Sequence, residues 1–89
     1  MNKYYYFTAS WCGPCKVFGP QLEKIKGEVN FIKIDVDNDP QNLKNQFNIR
    51  SVPSLVLVDP RGSELTRLVG VTQHTNPIQE VINTFNRYA

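Results

Sequence analysis

The chain has only two cysteines, Cys12 and Cys15, and both fall where an aromatic, apolar run gives way to a helical pattern. A pair three residues apart closes almost no loop, so as a cross-link it removes little entropy from the unfolded chain. A secreted domain of this size held together by disulfides usually carries about four or more cysteines. The pair therefore reads as redox chemistry or as half of a metal site. Structural zinc sites mostly need four ligands, and the single histidine, His74, is the one other obvious soft partner.

The flanking segments place the pair. Lys3 to Thr8 is rich in aromatics and reads as a buried strand. After the cysteines, Val17 or Phe18, Leu22 and Ile25 recur at helical spacing. Ser10 is the expected N-cap, Pro14 is tolerated in the first turn, and Gly27 is the expected stop. Pro20 lies inside this helix and should kink it. A second strand is expected over Asn30 to Val36, and a short helix from Pro40 with Asp39 as its cap and Leu43 and Phe47 on one face. Ser54 to Val58 and Leu65 to Val69 read as a hairpin around the turn Asp59-Pro60-Arg61-Gly62. Asn76 and Pro77 open a last helix whose apolar stripe is Ile78, Val81, Ile82 and Phe85.

The resulting order, β-α-β-α-β-β-α, defines an α/β fold. A four-stranded mixed sheet is flanked by three helices on its two faces, all in a single domain over residues 1–89. Leu, Ile, Val and Phe supply 26 of the 89 residues, enough for a folded core. The net charge of +2, with its Lys and Arg residues scattered, gives no nucleic-acid-binding face. No apolar run approaches a membrane span. The segment from Met1 to Phe7 is too short and too aromatic for a signal peptide, so a cytoplasmic protein is expected, or one whose export signal has been removed.

At a strand–helix junction, thiols at i and i+3 are close enough to be bridged. A thiolate there faces free N–H groups and the positive end of the helix dipole, which lowers its pKa below the ~8.5 of a free thiol. Cys12, the earlier and expectedly more exposed, should attack a disulfide. Cys15, one turn in and expectedly more buried, should resolve the mixed disulfide.

Trp11-Cys12-Gly13-Pro14-Cys15 resembles the active-site pentapeptide of the thioredoxins. Pro20 stands where that family kinks its helix, and Arg50-Ser51-Val52-Pro53-Ser54 resembles the family's cis-proline loop. Gly70, after Leu68-Val69, resembles the glycine of a third loop beside the site. The resemblance runs from about Tyr4 to Tyr88, to a minimal, glutaredoxin-sized thioredoxin without the opening strand and helix of the full-length form. It implies a protein-disulfide reductase with Cys12 attacking and Cys15 resolving, and a cis bond at Val52–Pro53. Its contact surface would consist of Trp11, Gly13, Pro14, Val52, Pro53, Gly70 and Val71. No bound cofactor or metal is implied, because the Cys12–Cys15 dithiol itself carries the electrons. Those electrons would come from NADPH through a flavoprotein thioredoxin reductase, with ribonucleotide reductase as a typical client, and the protein would act as a monomer.

Two positions depart from the family pattern. Tyr6 stands where thioredoxins usually bury an Asp, and Thr8 where many place a second Trp. Lys33 matches the family's neighbouring lysine, so Tyr6 and Lys33 are the proton-transfer candidates. Asp37 is expected near Trp11, and His74 is expected as a solvent-exposed loop residue. The alternatives are a glutathione-linked glutaredoxin-like protein, a thioredoxin-fold binding subunit, and a disulfide-forming oxidant of an exporting compartment.

Overall fold

A computed structural model describes residues 1–89. Four strands, β1 (Lys3–Thr8), β2 (Phe31–Asp35), β3 (Ser54–Val58) and β4 (Glu64–Val69), form one sheet in the order β2-β1-β3-β4. The helices are α1 (Gly13–Glu23), α2 (Leu43–Gln46) and α3 (Pro77–Arg87), with a 3₁₀ turn over Val71–Gln73 before α3. β1 pairs in parallel with β2 and antiparallel with β3, and β3 pairs antiparallel with β4.

Alternation along β1 divides the core between the two faces. Tyr4 and Tyr6 point to one side, where they pack with Phe18 and Leu22 of α1 and Val81 of α3. Phe7 points to the other, with Leu43, Phe47 and Val56. Every residue of β3 is buried, as suits a strand covered on both faces. The Tyr4 hydroxyl donates to the Val81 carbonyl at 2.7 Å, so this buried phenol is satisfied and ties α3 to the sheet.

The sheet edge that matters is set by strand direction. β1 and β2 end there, β3 begins there and β4 ends there, as the registers Thr8↔Asp35, Phe7↔Ser54 and Ser54↔Val69 require. Four loops far apart in sequence thus converge on one edge: the cysteine loop, the Val36–Asp37 turn, the Val52–Pro53 loop and Gly70.

Several local expectations need correction. The N-cap of α1 is Cys12, whose sulfur accepts the Cys15 amide, and Ser10 is not the cap. The helix ends at Glu23, four residues before Gly27. There the hydrogen bonds tighten to i→i−3, from Ile25 N to Leu22 O and from Lys26 N to Glu23 O, which folds Ile25 and Val29 onto the core without needing a glycine. The second helix starts at Leu43, three residues after Pro40. Asp39 still caps it from upstream, its carboxylate accepting Leu43 N at 3.1 Å and Lys44 N at 2.7 Å. Asp39→Ala should cost about 1 kcal/mol, a fall of several degrees in the unfolding midpoint followed by circular dichroism. An unchanged midpoint would contradict the capping role.

Candidate active site

The last residues of β1 are buried, and the chain then turns outward. Thr8 and Ala9 lie in the interior, Ser10 and Trp11 are exposed, and Cys12 turns back in. The Cys12 amide donates to Ala9 O at 3.2 Å, which closes this turn and sets the start of α1. Pro14, in the first helical turn, has no amide to leave unsatisfied there.

Cys12 and Cys15 are disulfide-bonded, with their Cα atoms 5.3 Å apart. The Cys15 amide donates to Cys12 Sγ at 3.2 Å, so a backbone N–H at the positive end of the helix points at that sulfur. On its other side Cys12 Sγ lies 3.6 Å from the Val52 carbonyl oxygen. As a disulfide sulfur it has no proton to give, and this is a packing contact. The peptide bond between Val52 and Pro53 is cis. The two cysteines differ little in exposure, at 4% and 5%, so the expected contrast between an open Cys12 and a buried Cys15 is absent from this oxidised form. The bond draws both sulfurs into one small apolar cluster with Ala9, against Val36 and Val52.

Trp11 is 67% exposed, and its indole N–H donates to Asp37 Oδ2 at 2.8 Å. This bond holds the ring across the mouth of the site from the turn after β2, where Asp37 was expected. Gly13 and Pro14 are exposed beside it, Val52 is half-buried, and Pro53 is buried. Gly70 has φ of +71°, a left-handed conformation that favours glycine. Val71 does not join the contact surface. The 3₁₀ turn after Gly70 tucks its side chain into the core at 1% exposure. His74 is exposed just beyond that turn, as expected.

Beneath Cys15 runs a cleft of about 680 Å³, lined among others by Tyr6, Thr8, Cys15 and Lys33. Both proton-transfer candidates therefore reach the space beside Cys15. Tyr6 is buried, and its hydroxyl donates to Thr8 Oγ1 at 3.4 Å. Burial pushes its phenol pKa up, against a smaller opposing effect of the Thr8 bond. Opposite Tyr6, α1 presents Gly19, where an added Cβ would lie 3.4 Å from the hydroxyl oxygen. A methyl group there would just meet the phenol at ordinary van der Waals distance. That pairing joins residues thirteen apart on two elements, and no local pattern announces it.

The fold and the paired-cysteine turn at a helix N-terminus define the class: an α/β domain with a disulfide at the edge of its sheet. The sequence model described as Thioredoxin matches residues 4–84, and the chain belongs to the thioredoxin family. It is 42% identical over 67 residues to thioredoxin H2 of Arabidopsis thaliana, covering 72% of this chain and 49% of that one. To the thioredoxin of Chlamydia trachomatis it is 40% identical over 68 residues, covering 73% of this chain and 65% of the relative. The chain thus spans about half the length of the Arabidopsis relatives it matches, 49% and 53%. Among solved structures, thioredoxin 1 of Thermosipho africanus superposes with a TM-score of 0.76 at 30% identity, over 97% of this chain and 92% of that one. Malassezia sympodialis thioredoxin gives 0.75 at 34% identity, over 94% and 74%. No helix is long and apolar enough to cross a membrane.

Proposed function

We propose that this protein reduces disulfides in other proteins by dithiol exchange. The observation that carries the reading is the Cys12–Cys15 disulfide, with the Cys15 amide directed at Cys12 Sγ. In the reduced protein that amide and the helix dipole favour the Cys12 thiolate. The thiolate attacks one sulfur of a client disulfide. A Cys12–client bond forms, and the client's other sulfur leaves as a thiolate. Cys15, having lost its proton, then attacks Cys12 Sγ. The Cys12–Cys15 bond forms, the Cys12–client bond breaks, and the client departs with two thiols. Two electrons have passed to the client, and the chain is left in the disulfide form described above.

Trp11, Gly13, Pro14, Val52, Pro53 and Gly70 form the rim against which the client lies. The backbone at Val52 pairs with an extended client segment as an added strand. The proton from Cys15 leaves through water in the cleft, beside Tyr6 and Lys33. The Tyr6 phenol, kept protonated by burial, is no base at neutral pH. Tyr6→Phe should therefore leave turnover nearly unchanged; a loss of about 100-fold with the fold intact would make the hydroxyl essential.

The whole of residues 1–89 acts as one domain and as a monomer in the cytoplasm, without a bound cofactor. A flavoprotein thioredoxin reductase restores the dithiol with electrons from NADPH, and ribonucleotide reductase is a fitting client. The test is reduction of insulin disulfides by dithiothreitol with and without the protein. Acceleration is expected, and it should be lost when both cysteines are serine. Acceleration that survives the double substitution would refute the reading. Recycling by glutathione in place of the flavoprotein would make the protein glutaredoxin-like.

A further inference from the structure

Resolution of the mixed disulfide requires a proton to leave Cys15, and the cleft against Cys15 offers few acceptors. Lys16 and Lys33 line it as cations, and Tyr6 as a phenol. The two remaining titratable groups on its wall are carboxylates, Glu23 on α1 and Asp35 on β2. They are not equivalent in position. Glu23 follows Cys15 by eight residues in α1, roughly 12 Å along the helix axis at 1.5 Å per residue. Asp35 is the last residue of β2, in register with Thr8 at the end of the sheet where the cysteines sit. Neighbouring strands are about 5 Å apart, so Thr8 and Asp35 stand side by side on the same face as Tyr6 and Lys33. The Tyr6 hydroxyl reaches up to Thr8 Oγ1, which makes a polar wall of phenol, hydroxyl and carboxylate across from Cys15. The carboxylate is held in place: Asp35 Oδ1 accepts the Asp37 amide at 2.9 Å, and the same Asp37 accepts the Trp11 indole.

We infer that Asp35, acting through water in the cleft, takes the proton from Cys15 as the mixed disulfide is resolved. Asp35 is a positioning residue for that water and does not touch sulfur. The Cys15 S–H bond breaks, its proton passes to the water, and the water gives a proton to the Asp35 carboxylate. The electron pair left on Cys15 forms the bond to Cys12 Sγ, while the client sulfur leaves with the pair of the broken bond. Asp35 later returns its proton to bulk solvent. Lys33 and Lys16 line the same cleft as Asp35, and Glu23 is the one competing acceptor. The inference rests on the dithiol reading above.

A stopped-flow experiment separates the two steps. Reduced protein is mixed with 5,5′-dithiobis(2-nitrobenzoate), whose thiolate absorbs as it is released. The first release reports attack by Cys12 and the second reports resolution by Cys15. Absence of either phase in the wild type sinks the dithiol reading itself. With both phases present, Asp35→Asn should leave the first unchanged and slow the second by about tenfold near pH 7. The deficit should shrink steadily as pH rises, because hydroxide then takes the Cys15 proton without help from a carboxylate. Asp35→Glu should recover most of the lost rate, and Glu23→Gln should keep the wild-type profile. A second phase unaffected by Asp35→Asn would overturn the inference. So would a deficit that stays constant as pH rises, which marks a structural effect, or a loss found in Glu23→Gln.

Discussion

Cys12→Ser is expected to bring insulin reduction down to the rate of dithiothreitol alone, with the fold intact. The substitution exchanges one atom for a slightly smaller one, so the buried cluster with Ala9, Val36 and Val52 keeps nearly its full volume. Serine accepts the Cys15 amide as readily as cysteine does, since an N-cap oxygen is a favoured acceptor. The cap and the start of α1 therefore survive. What is lost is a sulfur nucleophile, because a serine hydroxyl stays protonated near neutrality and does not attack disulfides. Cys15→Ser should fail differently. Cys12 still attacks, no resolving thiol follows, and a covalent adduct with the client accumulates that reductant reverses. Mass spectrometry of the two variants after exposure to oxidised insulin reads this directly. An adduct on Cys12 in the Cys15→Ser protein, and none in Cys12→Ser, is the expected pair. The opposite pair would exchange the two roles.

The second large effect lies in the core beneath the site. Phe18 is 2% exposed on α1 and meets the Tyr6 ring edge-on, with centroids 5.8 Å apart. It is one of three buried α1 residues, with Cys15 and Leu22, that seat the helix on the sheet. Phe18→Ala removes the ring and leaves a void that the neighbouring β1 backbone, bonded on both edges, cannot collapse to fill. The expected cost is about 3–5 kcal/mol, a large part of the roughly 5–15 kcal/mol available to a domain. For a domain of this size that lowers the unfolding midpoint by at least about 12 °C. Circular dichroism melts of the reduced proteins measure it, since reduction removes any contribution from the disulfide. A shift of only a degree or two would mean that Phe18 is not part of the support for α1.

The strands were legible because their residues announce them. The aromatic run of β1 and the Ser54–Val58 run are bounded by turn residues. Asn76-Pro77 opens α3 with the side chain of Asn76 accepting Gln79 N, as cap chemistry predicts. The class of the site was legible in the cysteine spacing at a strand–helix junction. What stayed hidden depends on contacts between distant segments. Gly27 carries the composition of a helix stop, yet the chain tightens into 3₁₀-type bonds at Ile25 because the core, not the glycine, draws it in. Val71 follows a loop glycine and looks exposed, but one 3₁₀ turn places it inside. The near-equal burial of Cys12 and Cys15 follows from their bond, which sequence order does not encode. Asp35 gains its meaning only from the register that sets it beside Thr8, and a chain read one residue at a time has no means of aligning β2 with β1.

The most direct measurement is the rate of alkylation of Cys12 by iodoacetamide in the reduced protein as a function of pH, followed by mass spectrometry. Backbone amides at the start of α1 should keep that sulfur ionised, so the rate should rise to its plateau with a midpoint well below the ~8.5 of a free thiol. A midpoint at the free-thiol value would show that the helix terminus gives Cys12 no advantage, and the proposed chemistry would lose its nucleophile.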